Sequence, residues 1–429
     1  MFSLNSFFSS FFAQSPPSYA GGWKSRPQSS RLYRYLRLRP DNQLPFYCQP
    51  IILFAISWLA MLGSLAFHVS YDSYPGMELP ILLFSISIIS LMAGYMLVHF
   101  FSEKQYPKDV GAEYMLDVSK LRRLNQILVL IAILIMVVNV KLEGLPPVFG
   151  LFSFDTKVYL EYGRLKQLLF PVLIIITVNA FLDPSRLRKV LYSSFGLLSM
   201  LVYVTRGGIL GALMQAFFVF SMTTKISKKR LLARAAGVLV VLIVLADVIG
   251  SNRTTQAGFL EFLQIRKEFW EWPMVSLWVI SYFSIPLSNL CWIVHDFHFT
   301  TATFSFLNPA LPSFWLPSDP HESFIAGQTH VIDNVHTYLA PYFMDFSFAG
   351  IFLANLVLGA ICAILVRRGI GRYFLTSAIF LGCVADIFFN DNFIPLSTLL
   401  QFVAQAFVQH YLLKAVAKRS EHGSVAAIA

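Results

Sequence analysis

Long apolar runs separated by short polar segments dominate the pattern along this chain. A helix needs about 20 mostly apolar residues to cross a bilayer, whereas a membrane β-barrel shows short segments of alternating polarity. The runs therefore predict membrane-crossing helices with the approximate bounds 51–69, 80–101, 124–140, 168–182, 231–250, 346–366, 373–390 and 393–413.

The run 190–222 is too long for one crossing. Its 33 residues would form a helix of about 50 Å, whereas the hydrocarbon core of a bilayer is about 30 Å thick. Arg206 at its centre is its only charged residue, and basic residues flank both of its ends. A hairpin of two short helices with Arg206 at the tip fits these charges and brings the prediction to about ten spans. Segment 273–294 is predicted to be re-entrant or interfacial, unless 299–316 crosses back.

The composition agrees with a membrane protein and excludes several other classes. Hydrophobic residues make up 56% of the chain and charged residues only 13%, about half the charged fraction of a soluble domain. This excludes a soluble enzyme, a secreted disulfide scaffold and a disordered chain. The expected fold is all-α, a polytopic helical integral membrane protein.

The net charge of +10 indicates orientation rather than binding to nucleic acid. Lys and Arg concentrate in alternate loops and at both ends, and basic loops face the cytoplasm. The prediction is a flexible basic cytoplasmic tail at 1–49, a membrane domain at 50–413 and a cytoplasmic tail at 414–429. The regions 141–167 and 251–345 are then periplasmic.

Three arginines on the predicted outer side are candidates for anion binding. Arg206 is followed by two glycines within an apolar run, where a charge is costly and indicates function. Arg164 and Arg253 lie in the two outer regions, and a guanidinium offers a fork of donors that suits phosphate oxygens. The alternative is that these arginines contact lipid phosphates or pair with Glu161 and Glu261.

The outer region 251–345 also collects polar and aromatic residues. Five of the nine histidines fall between 295 and 336, but no cysteine accompanies them, so no metal site is predicted. If 334–345 is helical, Asn334, Tyr338, Tyr342 and Asp345 share one face. Such a stripe suits a sugar or a lipid headgroup, and the alternative is an interfacial aromatic belt.

Four places, taken in order, resemble the bacterial oligosaccharide repeat-unit polymerases, the O-antigen polymerase family. The similar stretches are the opening helix pair at 50–101, Gly144-Leu145-Pro146 with Tyr162-Gly163-Arg164, Thr205-Arg206-Gly207-Gly208, and Asn334 to Tyr342 with Asp345 and Gly350. Ser347 stands where the family has Gly, and His336 where it usually has an aromatic residue.

The resemblance implies a glycosyltransferase of the GT-C-like kind in the bacterial inner membrane, without a metal or other cofactor. It would join undecaprenyl-diphosphate-linked repeat units, as donor and acceptor, into a surface polysaccharide such as O-antigen. It leaves a chain-length regulator protein open as a further partner. Arg206 and Arg253 would bind diphosphate with help from Arg164, and Asp345 or His330 would act as the base. Asn334, His336, Tyr338 and Tyr342 would bind sugar.

Two other functions fit the same pattern. An O-antigen ligase uses the same donor on the same side but transfers the glycan to the lipid A core. A lipid-linked oligosaccharide flippase or polysaccharide exporter predicts inverted repeats and charged residues along a midplane path. No internal repeat is seen in the sequence, and most charges lie near the predicted outer ends of the helices.

Overall fold

The computed structural model describes residues 33–37, 45–101, 113–146, 165–203, 206–224, 263–297, 303–311, 337–368, 373–387 and 393–415, with single positions between. Within these residues the protein is a helical bundle. The helices are α1 (Pro50–Leu65), α2 (Glu78–Phe101), α3 (Val118–Glu143), α4 (Lys166–Ala180), α5 (Arg186–Val202), α6 (Arg206–Thr223), α7 (Met274–Asp296), α8 (Leu339–Arg368), α9 (Phe374–Ala385) and α10 (Leu396–Leu412).

The helices identify a membrane-embedded protein. Within the described residues, four of them (α2, α3, α7 and α8) are long and apolar enough to cross a membrane, by length and composition. Shorter apolar helices accompany them, including α1, α6 and α9. The predicted hairpin is confirmed, because α5 ends at Val202 and α6 begins at Arg206. Most of the predicted span 231–250 lies outside the described residues.

Contacts between helix ends define two faces of the bundle. On one face Arg122 pairs with Asp183 at 3.1 Å, and Gln409 Oε1 accepts a hydrogen bond from the backbone N–H of Leu375 at 3.3 Å. This end also carries a three-stranded antiparallel sheet, and we call it the sheet face. Its strands, in spatial order, are β1 (Tyr33–Arg37), β2 (Glu113–Asp117) and β3 (Leu413–Ala415).

The sheet corrects the predicted tails at two places. Residues 33–37 were expected in a flexible segment, but they form β1 and pair with β2 from Tyr33↔Asp117 to Arg37↔Glu113. At the other end of the chain, β3 pairs with β2 and includes the first residues of the predicted C-terminal tail. Asp117 then begins α3 by accepting from the backbone N–H groups of Ser119 and Lys120.

The opposite end of the bundle carries the turn between α5 and α6, and we call it the Arg206 face. Asn139, near the end of α3, donates to the Tyr203 hydroxyl at 3.5 Å beside this turn. The loop between α1 and α2 is also at this end and forms a β-bridge from Ser70 to Ile265. The charge pattern predicts that this face is periplasmic.

Helix α7 lies along the Arg206 face. Trp272, just before it, is 6.1 Å from Phe67 between ring centroids, and Trp292 near its end donates to the carbonyl of Asp72 at 2.8 Å. Residues 67 and 72 are at most about 17 Å apart along the chain, whereas 20 residues of helix span about 30 Å. Both ends of α7 therefore lie near one short loop. Because α7 is also long and apolar enough to cross a membrane, the re-entrant or interfacial placement of 273–294 stays a prediction.

Helices α2 and α8 pack with their backbones in contact. A Cβ atom on Gly94 would lie 1.9 Å from the carbonyl oxygen of Leu356, and one on Gly359 would lie 1.9 Å from that of Leu91. Small residues permit this close approach in membrane helices. The contact fixes α8, whose beginning supplies part of the candidate site.

Candidate functional site on the Arg206 face

Arg206 is the first residue of an 18-residue helix, α6. The unpaired N–H groups and the dipole of a helix N-terminus attract anions. The preceding Tyr203 is buried and packs on Phe170 of α4, with 6.4 Å between ring centroids. Beside Arg206, Gly207 is exposed, and a Cβ placed there would meet nothing within 4 Å. Tyr203 is therefore held by α3 and α4, whereas Gly207 on the other side of the turn is exposed.

Asp345 is the centre of a second polar group on this face. Its side chain is fully buried, and hydrogen-bond donors from residues 303–306 reach both oxygens of its carboxylate. The Thr303 backbone N–H and hydroxyl donate to Oδ1 at 3.0 and 2.5 Å. The Ser305 hydroxyl and the Phe306 backbone N–H donate to Oδ2 at 3.3 and 2.9 Å. Asp345 thus anchors the 303–306 segment to α8.

This geometry changes the role assigned to Asp345. A general base needs an oxygen that can reach the proton it removes, but both carboxylate oxygens of Asp345 already accept two hydrogen bonds each. We therefore assign Asp345 as a positioning residue instead of the base. The sequence pattern missed Thr303, Ser305 and Phe306, which are about 40 residues away along the chain.

The predicted common face of 334–345 is correct only in part. Tyr342 packs against Phe306 with the two rings tilted and their centroids 5.1 Å apart, so it lies on the same side as Asp345. Tyr338 precedes α8 and is only 2% exposed, and its hydroxyl donates to Asn355 Oδ1. The expectation that Tyr338 binds sugar is wrong, because this hydroxyl lies inside the bundle.

Asn355 is a structural residue that the sequence analysis missed. It is fully buried in α8, donates to the Ser87 hydroxyl of α2 at 3.3 Å and to the Ile351 carbonyl at 2.8 Å. The network Tyr338–Asn355–Ser87 joins the beginning of α8 to α2. The only signal in the sequence was a single amide within the apolar run 348–366.

A sharp bend follows Asp345. Ser347 has φ 56° and ψ −148°, a conformation that favours Gly. After it, a Cβ on Gly350 would lie 2.0 Å from the carbonyl oxygen of Tyr342. The backbone bends tightly here, and Ser347 carries the strained conformation.

Five predicted site residues lie outside the described residues, and their roles stay predictions. They are Arg164, Arg253, His330, Asn334 and His336. Among the described residues, no group of three or more His, Cys, Asp or Glu side chains could hold a metal ion.

Comparison with known proteins yields no relative of this chain. No protein-family model matches it, no curated protein is significantly similar to it, and no solved structure matches its fold.

Proposed function

We propose that the protein is a metal-independent membrane glycosyltransferase that polymerises lipid-linked oligosaccharide repeat units into a surface polysaccharide. The observation that carries this proposal is Arg206, the only charged residue of 190–222, at the N-terminus of α6 and at the tip of a helical hairpin. A cation and a helix N-terminus at one turn suit the diphosphate of a lipid-linked glycan.

The reaction follows from the charge that must be stabilised. A hydroxyl of the acceptor repeat unit attacks the anomeric carbon of the donor glycan and forms a new C–O bond. The bond from that carbon to the diphosphate oxygen breaks, and undecaprenyl diphosphate leaves with the electron pair. Fixed donors placed where this charge develops lower the barrier, and Arg206, Arg253 and Arg164 are the proposed donors.

The acceptor must also be held in place. Asp345 fixes the 303–306 segment, and Tyr342 packs on Phe306 within it. The segment 303–306, together with Tyr342, supports the acceptor side of the site. The proton of the acceptor hydroxyl passes to a base, for which His330 is the remaining candidate. The Arg206 face is then periplasmic in the bacterial inner membrane, as the charge pattern predicts.

Gel analysis of lipid-linked and surface glycan in a deletion strain tests the proposal. Single repeat units should replace the ladder of long chains, and the intact gene should restore the ladder. Arg206→Ala at wild-type protein level should fail to restore it. Arg266→Ala is the matched control, because Arg266 is a partly exposed arginine on the same face that contacts Tyr71 and Glu268.

The other outcomes contradict the proposal in specific ways. An unchanged ladder in the deletion strain shows that the protein does not polymerise glycan. Complete loss of surface glycan indicates a ligase. Full restoration by Arg206→Ala removes Arg206 from the site.

A further inference from the structure

A cluster of aromatic and polar side chains lies on the Arg206 face, where the loop before α2 meets the end of α7. Tyr74, Trp292 and His295 contact one another edge to face. Their ring centroids are 5.2 Å apart for Tyr74–Trp292, 6.3 Å for Tyr74–His295 and 5.9 Å for Trp292–His295. Asp296 completes the cluster, with its Oδ1 2.6 Å from His295 Nδ1.

Backbone contacts hold the rings of this cluster in place. The Trp292 indole N–H donates to the carbonyl of Asp72 at 2.8 Å, and the Tyr74 backbone N–H donates to the Ser288 hydroxyl at 2.8 Å. The polar edge remains accessible, since the side chain of His295 is 60% exposed and that of Asp296 is 29% exposed. The cluster is a rigid aromatic surface with an open polar rim.

We propose that Tyr74, Trp292, His295 and Asp296 bind a sugar ring of the glycan. An aromatic surface packs against the C–H face of a sugar, while imidazole and carboxylate groups exchange hydrogen bonds with its hydroxyls. The pair His295–Asp296 fixes which imidazole nitrogen faces outward, because Nδ1 is directed to the carboxylate. That this sugar belongs to the growing polysaccharide rests on the proposed function.

The charges favour a sugar over the phosphate of a lipid headgroup. Asp296 belongs to the rim, and Glu78 begins the helix that follows Tyr74. The pKa of Tyr74 is raised, mainly by burial and to a smaller extent by the neighbouring Cys291, Glu78 and Asp296. Its hydroxyl therefore stays protonated at neutral pH. Carboxylates repel phosphate, whereas they accept hydrogen bonds from neutral sugar hydroxyls.

The test is direct binding to the purified full-length protein in detergent. The probe is the oligosaccharide released by mild acid hydrolysis from the host polysaccharide, observed by saturation-transfer NMR and titrated for affinity. Trp292→Leu and His295→Gln should each weaken binding about tenfold, as expected for the loss of one ring contact or one or two hydrogen bonds. Trp270→Leu is the matched control, an exposed tryptophan on the same face outside the cluster, and should bind like the wild type.

Equal binding by the wild type, Trp292→Leu and His295→Gln overturns the site. Displacement of the oligosaccharide by phosphoethanolamine identifies a headgroup site and also overturns it. His295→Gln keeps the test valid if Trp292→Leu does not fold, because the His295 side chain is largely exposed. Arg206→Ala should retain binding while chain growth in cells is lost. If the wild type binds the oligosaccharide but the deletion strain keeps its ladder, the polymerase proposal fails and the sugar site stands.

Discussion

Replacing Asp345 with Asn distinguishes an anchor from a catalytic base. The amide keeps one oxygen as an acceptor but replaces the other with an NH2 group. This NH2 group then faces the Ser305 hydroxyl and the Phe306 N–H, which in the wild type donate to the second carboxylate oxygen. The Ser305 hydroxyl can rotate to accept from this NH2 group, but a backbone N–H cannot, so the N–H of Phe306 is left without its acceptor. The expected result is a segment 303–311 that is held less firmly against α8.

The magnitude follows from the bonds that change. A hydrogen bond to a charged group contributes about 1.5–3 kcal/mol, and an unsatisfied buried donor costs about 1–3 kcal/mol. Because the segment is expected to relax and recover part of this cost, the net loss in its local opening free energy is about 3 kcal/mol. This corresponds to roughly hundredfold faster amide exchange.

Hydrogen–deuterium exchange of peptides from 303–311, in detergent, measures this opening. Thr303→Val is the graded control, because it removes one hydroxyl donor and keeps the backbone bond, for an expected cost of about 1 kcal/mol. Unchanged exchange in Asp345→Asn, combined with complete loss of glycan polymerisation, would refute the anchor and return Asp345 to the role of base.

Three further predictions concern stability. Ser347→Gly should raise the unfolding free energy by about 1 kcal/mol, measured by unfolding in mixed micelles, because Gly adopts this backbone without strain; a loss of stability would show that the bend is not strained. Gly94→Ala should cost about 2 kcal/mol or more in the same assay, since its Cβ would meet a backbone carbonyl, whereas Gly63→Ala has open space and should be neutral or slightly stabilising. Desolvation acts to raise the pKa of Asp117, but hydrogen bonds from the Lys120 and Ser119 N–H groups and the Ser119 hydroxyl outweigh it, so the folded-state pKa lies below the ordinary value. The stabilisation from Asp117 should be present above its unfolded pKa of about 3.9 and be lost as pH falls through the folded pKa. When unfolding free energy is measured against pH, this decrease at acid pH should be absent in Asp117→Asn.

The helical architecture was predictable because membrane burial imposes strong local rules. Apolar length predicts the long helices, and the excess length of 190–222 together with the basic residues at both of its ends predicted the hairpin of α5 and α6. The basic segments correctly predicted which helix ends lie together at one end of the bundle, since Arg122, Arg186 and Arg367 all lie on the sheet face. These signals depend on a few neighbouring residues and on the bilayer, so the sequence carries them directly.

Features that depend on distant contacts were not predictable from the pattern. Strands β1 and β3 form only because β2 lies between them, and the tails look polar and irregular in isolation. Periodicity placed Tyr338 with Asp345, but α8 begins after Tyr338, whose hydroxyl turns towards Asn355. Asp345 looked available for chemistry because its hydrogen-bond donors come from a segment about 40 residues away.

The most direct test of the account is glycan growth by the purified protein. The full-length protein is reconstituted into liposomes containing lipid-linked repeat units, with EDTA present, and both chain length and released undecaprenyl diphosphate are followed. Chains should lengthen as one undecaprenyl diphosphate is released per bond formed. Arg206→Ala should lower the rate at least about a hundredfold, as for the loss of a fixed donor at the developing charge. An active wild type whose Arg206→Ala variant is equally fast, or a folded wild type that joins no repeat units, would contradict it.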